Sequence, residues 1–391
     1  MVETVAESPA APKALRVVQL LPALNAGGVE RGTVEFAREL VRRGHESVVV
    51  SNGGRLVEQL QAEGSRHISM PVHRKALGSL WQVRPLRRLL VELQADVIHV
   101  RSRVPAWITW LAWRKMDPLT RPRLVSTFHG MYSVNAYSAI MARAEHCIAI
   151  SDCVKRYMVD NYRLPEAKIT LIPRGLDAEA FAAEGPDADW RQQLYGQYPQ
   201  FRDKPLILMP GRLSRWKGQE AFLQMMARLV RLRPDCHGVV VGDAEPGKQH
   251  YLQELLAQRS QLGLDEAVTF VGHRSDIADF YRLAAVTCHM SNKEEPFGRT
   301  VPESLACGTP VVAYDRGGAS ESLNAGFRQG LVPADDVVAF AARVADLLEA
   351  DNQISLPPEY YLDHQVSSTL SVYYRLLGNT AQLHSAAGSS A

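Results

Sequence analysis

Among its 391 residues the chain has only five cysteines: Cys147, Cys153, Cys236, Cys288 and Cys307. They form no Cys-x-x-Cys pair, and no paired histidines stand near them at zinc spacing. This excludes a disulfide scaffold and a structural zinc site, and reduced thiols in the cytosol are expected. Long apolar runs are also missing. None approaches the roughly 20 residues of a membrane span, and the polar opening Met1–Ala14 lacks the apolar centre of a signal peptide. Nor does either sign of charge dominate, since the net charge is +2. With no nucleic-acid motif present, nucleic acid is not an expected partner.

What is present is the balance of a soluble globular protein, 46% hydrophobic and 22% charged, in a chain long enough for two domains. Charge is unevenly spread. Residues 1–180 hold 25 Lys and Arg against 17 Asp and Glu, whereas residues 181–391 hold 19 against 25. A basic first half suits an anionic surface or substrate.

Strand and helix patterns alternate along the chain, which predicts a parallel sheet covered by helices. Leu15–Leu21 reads as a strand and ends in a glycine-bearing loop. Val29–Arg43 then carries Val34, Ala37, Leu40 and Val41 at helical spacing, with Gly44 as its stop. The strands Ser47–Val50, Asp96–Val100, Leu124–Phe128, Cys147–Ile150 and Ile169–Ile172 follow. Asp177–Lys204 is polar and poor in helical pattern. Beyond it the alternation restarts with the strand Leu206–Met209 and the helix Gln219–Leu232, and it runs on to the helix Val337–Leu348. The expected organisation is a tail (1–14), a first doubly wound domain (15–180) and a linker (181–204). A second domain (205–360), a closing segment (361–378) and a disordered tail (379–391) complete it. Two such domains would face each other across a ligand cleft at the carboxyl ends of their strands.

The most informative segment is Ser291–Glu321. Glu295 lies on a loop and Glu303 just over a turn into a helix that starts near Arg299. Free N–H groups around Gly298, Arg299 and Thr300 could hold a phosphate oxygen, aided by the helix dipole. The two carboxylates beside that point could accept hydrogen bonds from sugar hydroxyls. Upstream, Pro210–Gly218 offers Arg212 as a planar multi-donor clamp and Lys217 as a point charge for a diphosphate. Gly27 and Gly28, between a strand and a helix, allow close backbone approach. His129 ends a strand in the first half. Asp187-Ala188-Asp189 has metal-binding spacing but no preceding strand, and reads as chance.

These residues resemble the donor signature of glycosyltransferase family 4, a retaining family with the GT-B fold. Ser291, Glu295, Phe297-Gly298, Glu303-Ser304 and Gly308-Thr309-Pro310-Val311-Val312 match it in register, and Pro210–Gly218 is similar to its Gly-Arg-Leu…Lys-Gly loop. The resemblance covers roughly residues 15–375 and implies that the closing segment (361–378) is a helix crossing back to the first domain. It implies that Arg212, Lys217, Glu295 and Glu303 bind a UDP-, GDP- or ADP-sugar, with backbone near Gly272 against the base. It places Gly27, Gly28 and His129 beside the diphosphate, the donor sugar and the acceptor. It further implies a metal-independent, retaining transfer to a glycan or lipid-linked acceptor, such as a lipopolysaccharide core, with the nucleotide sugar as co-substrate and no cofactor. Gly242, Asp243 and Asp276 match weaker landmarks. Ser151 reads as a helix N-cap, and Arg174 stands where the family most often has Asn. A nucleotide-sugar epimerase and a non-catalytic sugar-nucleotide sensor are the rival readings.

Last, Arg74, Lys75, Trp81, Arg84, Arg87 and Arg88 are followed by Trp107, Trp110, Trp113, Arg114 and Lys115. Tryptophan among cations suits an anionic membrane interface. It suits equally a helix with buried tryptophans and solvated cations. The expected location is the cytoplasm, with peripheral contact at the inner face of the membrane as one option.

Overall fold

A computed structural model describes residues 13–25, 27–244 and 247–378. The expected tails, 1–14 and 379–391, lie outside these residues apart from residues 13 and 14. The chain divides into two compact units. The first holds residues up to 150, residues 154–175 and everything from Leu362 onward, and the second holds 151–153 and 176–361.

In the first unit the strands are β1 (Arg16–Leu20), β2 (Glu46–Ser51), β3 (Arg66–Ser69), β4 (Val97–Val100), β5 (Arg123–Phe128), β6 (His146–Ala149) and β7 (Ile169–Leu171). Their order is β3-β2-β1-β4-β5-β6-β7, parallel throughout. The second unit repeats the plan with β8 (Leu206–Pro210), β9 (His237–Val241), β10 (Val268–Gly272), β11 (Val286–His289), β12 (Val311–Tyr314) and β13 (Leu331–Val332). Here the order is β10-β9-β8-β11-β12-β13, again parallel. Both sheets are doubly wound, with the strand order reversing between β1 and β4 and between β8 and β11, the places where such folds take ligands.

The central strands are buried on both faces, as runs such as Ser47–Val50 and Gly238–Val241 require. The helix Gly28–Arg42 buries Thr33, Val34, Phe36, Ala37 and Leu40 on one stripe. The final helix, Leu362–Leu376, packs Val366, Leu370 and Tyr373 with Leu15, Val17, Phe36 and Val125 of the first unit. Inside it, the Tyr373 hydroxyl pairs with His99 Nδ1 at 2.6 Å, and His99 Nε2 with Thr127 Oγ1 at 2.6 Å. All five cysteines are free and buried. Among the described residues no helix is long and apolar enough to cross a membrane.

The structure departs from the sequence reading in the stretch taken as a linker. Ala188–Gln197 is a helix, and Asp187 caps it by accepting from the backbone N–H groups of Asp189 and Trp190. Leu194 and Phe201 are buried in one cluster with Leu206, Leu208 and Phe280, so the segment belongs to the core of the second unit. Asp187 thus has a structural role.

Candidate active site

Two loops of the second unit leave adjacent strands at the reversal point, one after β8 and one after β11. A single turn at Arg215–Lys217 brings the first loop against the second. Gly218 closes that turn at φ +83°, where a Cβ would stand 2.0 Å from the Met290 carbonyl oxygen. Only glycine permits so close an approach in that conformation. As a result the Lys217 ammonium donates to Oε1 of Glu295, although 78 residues separate the two.

The second loop is braced from the far side by another close approach. A Cβ on Gly317 would lie 2.7 Å from the Glu295 carbonyl oxygen, and one on Gly318 would lie 2.6 Å from Cα of Phe297. The Gly318 N–H donates to the Glu295 carbonyl at 2.8 Å. Ser151 belongs to this bracing. Its hydroxyl donates to the Pro296 carbonyl at 2.5 Å, and the residue stands directly before the helix Asp152–Tyr162, at the expected N-cap position.

Glu295 is 8% exposed and accepts from the Ser291 hydroxyl at 2.5 Å in addition to Lys217. Burial pushes its carboxyl upward, but the neighbouring His289 and Lys217 and the hydrogen bonds from Lys217 and Ser291 prevail and hold it at about 2. Burial brings His289 itself down to about 4. At neutral pH the counter-charge of Glu295 is therefore Lys217. His289 links the loop to the helix Thr300–Ala306, with Nε2 3.9 Å from Oε1 of Glu295 and Nδ1 3.0 Å from Oγ1 of Thr300.

Glu303, also 8% exposed, accepts from Nε of Arg299 at 2.5 Å and from the Tyr281 hydroxyl at 2.9 Å. Burial, and then the charge of Glu303, raise the Tyr281 phenol well above its ordinary value, so it stays a donor. Lys217 and Glu295 are thus paired, and His289 stands between Glu295 and Thr300, at the start of the helix that carries Glu303. Gly298, at φ +71°, lies in the loop just before this helix. Arg212 is exposed on its loop, where its carbonyl accepts from Nε2 of Gln219 at 3.1 Å. Gly272 ends β10 and its carbonyl accepts from the Gly242 N–H at 2.8 Å. Asp243 accepts from the next backbone N–H at 2.7 Å, its carbonyl accepts from the Leu213 N–H at 3.0 Å, and Asp276 is tied to Arg274 and Trp190.

In the first unit, Gly27 precedes the helix Gly28–Arg42 and its N–H donates to Oε2 of Glu30 at 2.6 Å. Gly28 makes room for Arg174. A Cβ there would lie 3.3 Å from both terminal guanidinium nitrogens, and one of them donates to the Gly28 carbonyl. His129 follows β5, and both its ring nitrogens are buried without a hydrogen-bond partner among the described residues. Burial, then the charges of Arg174, Arg101 and His99, hold its pKa well below the ordinary value, so the ring is neutral.

Three residues that escaped sequence reasoning complete this picture. Tyr281 donates to Glu303 and His289 stands between Glu295 and Thr300, and their only signal was apolar company on a helix and on a strand. Arg101, beside the reversal point of the first sheet, is buried with Nε 2.8 Å from Oε1 of Gln19 and its guanidinium over the Phe36 ring. Burial lowers it to about 10. Its place directly after the β4 run was the available signal.

Residues 26–180 match Glycosyltransferase Family 4, and residues 191–356 match Glycosyl transferases group 1. The chain belongs to glycosyltransferase family 4. Its relatives include a GDP-mannose-dependent alpha-(1-6)-phosphatidylinositol monomannoside mannosyltransferase of Mycolicibacterium smegmatis, 26% identical over 345 residues, 82% of this chain and 86% of the other. A glycosyltransferase from Rickettsia africae superimposes with a TM-score of 0.79 at 26% identity, over 94% of this chain and 100% of its own. The Anabaena protein HepE, solved in complex with UDP and glucose, gives a TM-score of 0.71 at 22% identity, over 96% and 100%. The GT-B fold and the activity of a glycosyltransferase therefore hold for this chain.

Proposed function

We propose that this glycosyltransferase takes a sugar from a nucleoside-diphosphate sugar held in the second unit, and passes it with retained configuration to a hydroxyl of a glycan or lipid-linked acceptor. The observation that carries the reading is the meeting of Lys217 and Glu295 at the strand-order reversal, with Arg299 paired to Glu303 on the helix whose first residue, Thr300, is bonded to His289. Lys217 and Arg212 supply positive charge for the diphosphate. Glu295 and Glu303, one on each side of the start of the helix Thr300–Ala306, offer carboxylate oxygens to the sugar and ribose hydroxyls. Gly298, Arg299 and Thr300 supply the backbone against a phosphate oxygen, and Gly272 backbone lies toward the base.

In the transfer, the bond between the anomeric carbon and the phosphate oxygen breaks and the electron pair leaves with the diphosphate. The acceptor oxygen forms the new bond from the same face, and its proton passes to a phosphate oxygen of the departing group. Cations that meet the growing charge there stabilise the transition state more than the ground state. They also take the place a metal would fill, so the reaction runs without one. On the first unit, Gly27 and Gly28 lie toward the acceptor. His129 is neutral, and its two buried ring nitrogens, without a partner among the described residues, would be satisfied by a sugar hydroxyl. Cell-envelope glycan synthesis, including a lipopolysaccharide core, is the setting that an anionic acceptor and the basic first half favour.

A panel of UDP-, GDP- and ADP-sugars tests the donor half. One should raise the melting temperature of the intact protein by mass action, and Lys217→Met should abolish the rise. Proton NMR of the product of that donor then reads the anomeric configuration, with and without a chelator. Inversion, or activity lost on chelation, overturns the mechanism. Conversion of the donor alone into its epimer makes the protein an epimerase.

A further inference from the structure

The basic, tryptophan-bearing stretch of the first unit resolves into two parts. The helix Arg103–Trp113 uses its own tryptophans internally. Trp113 is buried, donates to the Pro122 carbonyl at 2.8 Å, and has the Arg121 guanidinium 3.4 Å over its ring. Trp107 donates to the Tyr137 carbonyl at 2.9 Å, and Trp110 carries Arg114 and Arg143 on its ring at 4.8 and 4.7 Å. The short 3-10 segment Leu77–Gln82 does the opposite. Trp81 is 82% exposed and Leu80 47% exposed.

Between that segment and the helix runs an apolar groove of about 490 Å³, with Leu80, Trp107, Ile108 and Leu111 in its lining and Arg74 and Lys75 at its side. A second hollow of about 600 Å³ shares Leu80 and Leu111 and adds Trp81, Arg84 and Lys115. Lys115 lines a third as well, with Arg87, Arg88 and the exposed Val91. The cations along these three hollows outnumber their acids, Glu92, Asp96 and Asp117. Exposed tryptophan next to leucine is an unfavourable surface in water unless something covers it.

We infer that this face of the first unit docks on a membrane surface carrying anionic lipid. Trp81 and Leu80 enter the boundary between headgroups and acyl chains, and Arg74, Lys75, Arg84, Arg87, Arg88 and Lys115 meet the lipid phosphates. The charge decides among occupants. A second copy of the chain, paired through the same patch, would set these cations against themselves, whereas an anionic bilayer complements both the apolar groove and its basic rim. The inference goes beyond the proposed transfer and does not depend on its donor or acceptor.

Sedimentation of the intact protein with vesicles tests it, using phosphatidylcholine alone against phosphatidylcholine mixed with phosphatidylglycerol. Binding should be at least about tenfold tighter to the anionic vesicles and should fall steeply when salt is raised toward about 0.5 M. Arg84→Gln and Lys115→Gln should each weaken it roughly fivefold. Trp81→Ser and Leu80→Ser should weaken it comparably while leaving the melting temperature and far-UV circular dichroism as in the wild type, since both side chains are exposed. Equal binding to neutral and anionic vesicles, no binding, or Trp81→Ser binding like wild type overturns the inference. So does a concentration-dependent dimer that Trp81→Ser abolishes in the absence of vesicle binding.

Discussion

Glu295 is a carboxylate that the fold keeps ionised against the cost of burial. Its pKa of about 2 lies below the ordinary carboxylate range, so it adds stability at pH above roughly 4.3, and that contribution is lost as pH falls toward 2. The full shift corresponds to on the order of 3 kcal/mol. Urea unfolding of wild type and Glu295→Gln should therefore show a gap at pH 7 that has narrowed markedly by pH 3. An unchanged gap would mean that Lys217 does not hold the carboxylate. In catalysis the same substitution should lower kcat by about a hundredfold or more, with nucleoside diphosphate affinity changing much less. Steady-state kinetics alongside calorimetric titration separates the two. At this scale the sequence was readable for the charged residues and silent about their holders. Lys217, Glu295 and Glu303 stand in a recognisable order, whereas Tyr281 reaches Glu303 across 22 residues of sequence, through packing that no local pattern encodes. The Arg174 guanidinium beside Gly28 is a contact of the same kind, between residues 146 apart in sequence.

The loop after β8 meets the loop after β11 because of one glycine. Gly218→Ala would put a methyl group onto the Met290 carbonyl in a left-handed conformation, so the turn at Arg215–Lys217 must move. The expected outcome is a fall in stability of several kcal/mol and loss of the nucleotide-sugar-dependent rise in melting temperature. If that rise survives in the folded variant, Lys217 does not need its partner Glu295 for donor binding. Elements with long, regular patterns were legible in the sequence, among them the helix Gly28–Arg42 and strands rich in Val and Ile. Others were hidden for identifiable reasons. The helix Ala188–Gln197 has few apolar residues and sits in polar sequence, so its burial of Leu194 depends on tertiary contact. The helix Gly317–Gly326 starts with two glycines, which locally favour a turn. β13 has two residues, too few to show a period.

For the whole molecule, buried histidines set the acid limit. His146, His237 and His289 are each brought to about 4, chiefly by burial. Unfolded, they would titrate near 6.5. Between those values the unfolded chain takes up protons that the folded one refuses, so stability is greatest above about pH 6.5 and falls as pH drops, by roughly 1.4 kcal/mol per pH unit for each histidine. Denaturant unfolding from pH 7 to 5 should reveal that slope, and His237→Gln, which replaces a ring bonded to Thr269 at 2.9 Å, should reduce it by one histidine's share. A slope unaffected by that change would remove His237 from the account. The two-unit plan itself was visible in the restart of the strand–helix alternation after residue 204. The point of division was not, because residues 176–204 look like a tether in composition yet fold into the core of the second unit.

The first unit closes its core with a helix that comes last in the chain. On the ribosome, everything through residue 175 emerges with Phe36, Val97 and Val125 lacking the cover that Val366, Leu370 and Tyr373 provide. The second unit, made of 151–153 and 176–361, can be finished before that cover is synthesised. A chain truncated after residue 361 and released from the ribosome should thus show a protease-resistant second unit beside a labile first one, the reverse of the usual amino-to-carboxyl order of maturation.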